Sequence, residues 1–313
     1  MTTYHSNVKL YSIIRDDGSL YGTSEESVQT GMVVKSSNKS LLKAVQVIKS
    51  FSPDALELGA AEASRKSGIP KATAHRILAT LSEGGLLEQN KSTGKYRIGP
   101  GLYMQGSLYL STTDIFKAAG SVVKELNDLT SECVYIAILC GANVVLIMKE
   151  ESKYDFRLAT HIGSILNIYA TGMGKALLSE LTEAEIDSII PGERLPPRSK
   201  NTIATKAELK SELEQIRKTG TSIDMEENSE GVIGIASVIR DRSSKVVAAL
   251  GIPVPSFRTN QASRELIAKL VQLASSLISY RLGYQDRTNP VRDIQEIRSW
   301  WKQNQSAPIH QGR

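Results

Sequence analysis

The punctuation between Leu41 and Ile98 constrains this chain more than any other feature. Leu41, Leu42, Ala44, Val45, Ile48 and Phe51 recur at helical spacing, and Ser52-Pro53-Asp54 ends the run because Pro disfavours helix in the residue before it. A short helix is predicted from about Ala60 to Lys66, followed by a break at Ser67-Gly68-Ile69-Pro70. The next helix is predicted over about 70–83, with Pro70 in its first turn, where a missing N–H costs nothing, and Gly84-Gly85 as its stop. Leu86–Gln89 and Lys95–Ile98 then flank the turn-like Asn90-Lys91-Ser92-Thr93-Gly94, giving two short strands around a basic tip. Helix, helix, Gly-bearing turn, helix and β-hairpin is the order of a winged helix-turn-helix.

Charge placement points the same way. The 313-residue chain has a net charge of only +5. Residues 36–100 carry ten Lys and Arg against five Asp and Glu, so this one block equals the whole surplus. Residues 101–284 carry twenty bases and twenty-one acids. A polyanion-binding module beside a neutral domain is the expected reading, with double-stranded DNA as the partner.

On a helical wheel, Ala74, Ile77, Leu78 and Leu81 share one face and must pack inward. Ala72, Arg76, Ala79 and Glu83 lie opposite, flanked by Lys71, Thr73, His75 and Thr80. Arg76 suits a guanine edge, Thr73 a base edge or phosphate, and Lys71 a phosphate near the helix N-terminus. Lys91, Lys95 and Arg97 place cations on the wing. The candidate DNA contacts are therefore Lys71, Ala72, Thr73, His75, Arg76, Lys91, Lys95 and Arg97.

The rest of the chain divides by pattern. Residues 1–36 read as an extension in which Val8 to Tyr21 is predicted to form a hairpin around Asp16-Asp17-Gly18. The expected organisation is a DNA-binding domain at 37–100, a linker helix at 101–112, a second domain at 113–283 and an extension at 284–313. In the second domain, helices are predicted near Ile115–Leu129, Gly172–Glu180, Lys206–Thr219 and Ser263–Leu282. Strands are predicted at Val134–Leu139, Val144–Lys149, Ile233–Ile239 and Val246–Ile252. Hairpin-like strand pairs with helices at the sequence ends predict an antiparallel sheet flanked by helices, and the chain as a whole reads as α+β. Val291, Ile294, Ile297, Trp300 and Trp301 form an apolar stripe on a helix predicted over 290–304, expected to dock on the second domain.

Several chemistries are disfavoured. The two cysteines, Cys133 and Cys140, are seven positions apart in a strand and point to opposite faces, so a bridge is not expected and both are read as buried packing residues. The four histidines show no metal spacing, and neither a metal nor a cofactor is expected. Thr171-Gly172-Met173-Gly174-Lys175-Ala176 superficially suggests a phosphate loop, but Tyr169 and Ala176 occupy the places of an essential Gly and Ser/Thr. The run Asp224-Met225-Glu226-Glu227 reads as a solvated turn, a pocket rim or, least of all, a metal ligand set. No stretch of about eighteen uncharged apolar residues predicts a membrane span, and the first residues lack a signal-peptide layout, so a cytoplasmic protein is expected. The two alternatives to a regulator are a DNA-binding scaffold without an effector and an enzyme using the second domain.

Over about Leu41 to Arg281 the chain resembles the IclR family of bacterial transcriptional regulators. The resemblance rests on Ser67-Gly68-Ile69-Pro70-Lys71-Ala72-Thr73-Ala74-His75-Arg76-Ile77-Leu78 and Tyr96-Arg97-Ile98-Gly99-Pro100 in the first domain. In the second it rests on Gly163, Thr171–Leu178, Lys218-Thr219-Gly220, Asp224–Glu227 and Gly231–Ala236. It implies a GAF-like effector domain, dimers or tetramers on pseudo-palindromic operators, and control by a small effector, often an organic or aromatic acid. It also implies repression sooner than activation. The pocket positions it implies are Gly163, Leu166, Thr171, Gly172, Asp224, Gly234, Gly251 and Pro253. This chain departs from the family at Ala72, where Ser is frequent, and at Gly234, Gly251 and Pro253, where small polar residues or Cys are frequent. Ala61 and Ala63 replace a usual cap and a larger apolar residue, predicting a weakly held second helix.

Overall fold

The structure is a computed structural model that describes residues 38–52, 54–155, 158, 160–285 and 291–305. The hairpin expected at Val8–Tyr21 lies outside the described residues. The chain forms two compact units, with the boundary along the sequence between Thr113 and Asp114.

In the N-terminal unit, α1 (Lys39–Lys49) begins at Asn38, whose Oδ1 accepts the Ser40 and Leu41 N–H groups. A short strand β1 (Glu57–Leu58) precedes α2 (Ala60–Ser67) and α3 (Lys71–Glu83). The wing is β2 (Leu87–Gln89) and β3 (Tyr96–Ile98), and β1 adds to it in the antiparallel order β1-β3-β2. Val47, Leu58, Ala63, Ile69, Ala74, Leu78, Leu87 and Tyr96 form the core. The weak hold predicted for α2 is offset from an unexpected quarter. The cap position is Gly59 and not Ala61, which lies one residue inside the helix; Glu62 Oε2 reaches back to accept the Gly59 N–H at 2.8 Å and closes the helix start. Ala63 is fully buried, so the small side chain sets close contact with its neighbours. The helix α4 (Pro100–Thr112) follows, with Pro100 at its first position. A Cβ on Gly101 would lie 2.4 Å from the Gly85 carbonyl oxygen, so this glycine lets α4 start directly against the turn after α3.

The C-terminal unit begins with α5 (Asp114–Thr130), β4 (Val134–Cys140), β5 (Asn143–Glu150), β6 (Ile165–Leu166), α6 (Gly172–Leu178), α7 (Glu183–Ile189) and α8 (Lys206–Thr219). It continues with β7 (Ser222–Met225), β8 (Val232–Arg240), β9 (Val246–Pro255), α9 (Gln261–Arg281) and α10 (Ile294–Asn304). Among the described residues the strands make one six-stranded antiparallel sheet in the order β6-β5-β4-β9-β8-β7. Both faces are covered. Val134, Ile136, Leu250, Ile252 and Val254 point into a core with α5, α9 and α10. Tyr135, Ala137, Ala236 and Ala249 point to the other side, into a core with α6, α7 and α8. Double coverage explains why these strands read as continuous apolar runs.

The apolar stripe of the C-terminal extension docks as expected: Val291, Ile297 and Trp301 are buried against α5 and α9. Arg298 fixes it with a bidentate pair to the buried Glu125, at 2.5 and 2.6 Å. One expectation fails. Cys133 is buried, but Cys140 is exposed, because β4 ends there at a tight turn (Gly141 has φ +64°) that leaves the core.

Candidate functional site

The first candidate surface is α3 with the wing. Ala74 and Leu78 are buried and Ile77 and Leu81 half-buried, which anchors one face on the other helices. That leaves Lys71, Ala72, His75 and Arg76 exposed, with Thr73 half-buried between the faces. Gly68, in the left-handed conformation at φ +70°, turns the chain from α2 into α3. Ser64 Oγ donates to the Ile69 carbonyl at 2.6 Å and ties the turn back to α2. Pro70 precedes α3 without a side-chain cap, so the first-turn N–H groups stay open to an anion such as a phosphate.

The wing's three cations are not equivalent. Lys95 Nζ lies 3.2 Å from Glu62, and an Arg97 guanidinium nitrogen 2.9 Å from Glu88. The Gly59 N–H and then Lys95 hold the Glu62 carboxyl below its ordinary value. Lys91 is exposed at the tip and has no ion pair among the described residues. Asn90 Oδ1 shapes that tip by accepting the Ser92 N–H and hydroxyl, and Gly94 completes it at φ +69°.

The second candidate site is a cavity of about 110 Å³ in the C-terminal unit, between the start of α6 and the central strands. Leu166, Thr171, Gly172, Asp224, Gly234, Gly251 and Pro253 all line it. Gly163 does not: at φ +88° it shapes a turn, and its N–H donates to the Leu146 carbonyl. Strand alternation places Gly251 and Pro253 on the α6 side of the sheet, and Gly234 pairs with Pro253 across β8 and β9.

Close backbone approach builds the cavity. A Cβ on Gly172 would stand 2.6 Å from the Gly234 carbonyl oxygen, and one on Gly174 would stand 2.3 Å from that of Ile168. These glycines allow α6 to sit directly on the sheet and its preceding loop. Gly251 leaves space that the Met173 side chain leans across, with Cγ 2.8 Å from the Cβ position. Thr171 starts the helix: its Oγ1 accepts the Gly174 N–H and donates to the Asn167 carbonyl.

Buried charge stands behind this wall. Lys175 is fully buried, and its ammonium donates to Glu227 Oε1 at 2.5 Å, the Ile223 carbonyl at 2.9 Å and Glu212 Oε1 at 3.3 Å. Asp224, only 4% exposed, reaches the cavity, and its Oδ1 accepts the Glu227 N–H at 2.6 Å. Burial pushes the Asp224 carboxyl up to about 7; the Glu227 N–H opposes the shift, the Glu227 carboxylate adds to it, and Lys175 and the Asn228 N–H oppose it. The run Asp224–Glu227 is therefore a strand end and a turn at the cavity rim, with Asp224 and Glu227 buried and Met225 exposed. Tyr135 was missed in the sequence, although it shares a β4 face with Cys133 and Ala137. Its buried hydroxyl has no hydrogen-bond partner among the described residues, and burial raises its titration above the ordinary phenol value. Met173, Thr160, Asn228 and Ser229 are among the further lining residues that sequence reasoning did not assign. No cluster of metal-ligating side chains occurs among the described residues.

Comparison with known proteins supplies the context. Residues 40–91 match the model of the IclR helix-turn-helix domain, and residues 107–280 match that of the bacterial transcriptional regulator IclR C-terminal domain. The HTH-type transcriptional regulator XynR of Escherichia coli K12 is 32% identical over 246 residues, 79% of this chain and 98% of XynR. The E. coli K12 HTH-type transcriptional repressor AllR is 31% identical over 255 residues, 82% of this chain and 94% of AllR. An IclR homologue from Microbacterium hydrocarbonoxydans, solved with 4-hydroxybenzoate, shares the fold with a TM-score of 0.69 at 22% identity, covering 78% of this chain and 98% of that one. A winged helix with an open polar face, a helix-covered antiparallel sheet around a cavity and two matching family models have one reading: this chain is a DNA-binding transcriptional regulator of the IclR family.

Proposed function

We propose that this regulator is a repressor whose hold on DNA is set by a small organic or aromatic acid bound in the cavity beside Asp224. The cavity is the observation that supports this reading best. A scaffold that answered to no ligand would gain from filling it, whereas the glycine at 234 leaves its β8 wall bare. Repression is favoured by the likeness to AllR, itself a repressor. An acid effector is favoured by the related fold that holds 4-hydroxybenzoate.

In the proposed mechanism, Arg76 and Thr73 read base edges, while Lys71 and Lys91 hold phosphates. His75 and Ala72 line the same groove-facing surface, with Lys95 and Arg97 at its edge. The protein acts as a dimer or tetramer in the cytoplasm, on an operator whose two-fold symmetry mirrors its own. The exposed apolar side chains of Leu41, Leu42 and Val45 on α1, with Tyr103 and Met104 on α4, favour such association. Effector binding favours one arrangement of the paired winged helices over another, which is linkage between the two ligands. Catalysis has no part in this scheme.

The test is Gly234→Trp, which fills the cavity from its β8 wall. Operator binding in a mobility-shift assay should persist, and release by effector in a reporter strain should disappear. Normal release in this variant would remove the cavity from the mechanism.

A further inference from the structure

Among the described residues the cavity lining has one carboxylate, Asp224, and no Lys, Arg or His. The adjacent cation is already committed. An ammonium has three protons to donate, and Lys175 gives them to Glu227, Glu212 and the Ile223 carbonyl. Among the described residues the other ionisable groups around Asp224 and the cavity are Glu227 on its own turn, Lys175 from α6, Glu212 of α8 behind Lys175, Tyr135 from β4 and Lys149 of β5. Lys149 donates to the Leu158 and Thr160 carbonyls, lies 5.7 Å from the Tyr135 ring and is neutralised by Glu151 at 2.9 Å. With every acid ionised, Asp224, Glu227, Glu212 and Lys175 sum to two negative charges. An anionic ligand therefore meets a surplus of its own sign. Two carboxylates in contact do not both ionise, and one proton between them turns repulsion into a hydrogen bond.

Geometry leaves a place for that proton. Asp224 Oδ1 accepts the Glu227 N–H, the Asn228 N–H also approaches the carboxylate, and Oδ2 lies 3.4 Å from where a Gly234 Cβ would be, on the cavity side. The unpartnered Tyr135 hydroxyl lines the same cavity and offers a second donor. We propose that an acidic effector binds together with one proton, shared between its carboxylate and Asp224 Oδ2, so that release from DNA depends on pH as well as on effector concentration. The proposal rests on reading this cavity as the effector site. Burial that lifts the Asp224 carboxyl to about 7 places the dependence close to neutrality.

The test titrates the full-length protein calorimetrically with pyruvate, benzoate and 4-hydroxybenzoate, acids whose carboxyl groups stay ionised above pH 6. Wild type, Asp224→Asn and Gly234→Trp are each measured at pH 6, 7 and 8, in two buffers of different ionisation enthalpy. For the tightest acid, the wild-type Kd should rise about fivefold between pH 7 and 8, with uptake growing from about half a proton per ligand at pH 7 toward one at pH 8. Asp224→Asn keeps an acceptor for the Glu227 N–H and gains an amide donor that does not titrate, so its Kd should change less than twofold across the range. Wild-type binding without proton uptake, blocked by Gly234→Trp, overturns the shared proton and leaves the cavity as effector site. Binding that survives Gly234→Trp overturns the effector-site reading itself. Failure of all three acids to bind wild type at pH 6 overturns the acid class, and the shared proton with it.

A ligand-free arm uses heat denaturation. The native Asp224 holds its proton to a higher pH than the unfolded chain, so wild type should lose stability relative to Asp224→Asn as pH rises from about 4 to about 7. Parallel curves for the two proteins would remove Asp224 as the proton carrier.

Discussion

The two units handle charge in different ways. In the N-terminal unit Lys71, Arg76 and Lys91 stand in solvent, and the ion pairs Lys95–Glu62 and Arg97–Glu88 are substantially exposed. Pairs of that kind contribute little to stability, so their charge remains available for other uses. The C-terminal unit has exposed pairs too, but it also holds charge inside: Lys175 with Glu227 and Arg258 with Glu132 are buried, and a half-exposed Arg298 reaches the buried Glu125. A polyanion is met by charge kept outside. A small ligand is met in a cavity whose walls depend on charge held within.

Breaking the inner arrangement should have the largest effect. Lys175→Met leaves Glu227 buried without its cation, and loss of one partner from a buried pair costs about 3–5 kcal/mol. Urea unfolding followed by circular dichroism should show the C-terminal unit lost at much lower denaturant. An unchanged midpoint would mean that the pair does not support the wall.

Arg76→Ala tests the outer arrangement at intermediate size. Folding should be unaffected because the side chain is exposed, while operator affinity falls by about 1–3 kcal/mol and base preference relaxes. Footprinting with unchanged affinity would show that another face of α3 meets the groove. Lys91→Ala should have the smallest effect, a uniform weakening on all DNA sequences with the salt slope reduced by about one. A loss confined to the operator would contradict a phosphate contact.

The same division explains what could be read in advance. The course of α2, α3 and the wing was legible because Gly68, Pro70, Gly84 and Gly94 punctuate it, and because α3 alternates apolar and polar faces at helical period. Strand β7 was not. Ser222 and Asp224 point inward while Met225 points out, which inverts the pattern by which a half-buried strand is recognised. Strand β1 has only two residues, too few for any period. Resemblance found most of the cavity because glycines at Gly172 and Gly234 mark close backbone approach. Tyr135 escaped because an aromatic among Val, Ile and Cys reads as packing, and only the fold leaves its hydroxyl without a partner. In the wing, sequence counted three equal cations, and only the side-chain positions separate Lys91 from the two that are paired.

The docked helix α10 carries a practical consequence. The family model ends at residue 280, yet Val291, Ile297 and Trp301 lie beyond it within the core of the C-terminal unit. A chain shortened to the family boundary would uncover an apolar seam along α5 and α9, and would leave the Glu125 carboxylate without its guanidinium. Such a fragment would be prone to aggregate, so the piece of this protein that folds as a unit is longer than the piece that defines its kinship.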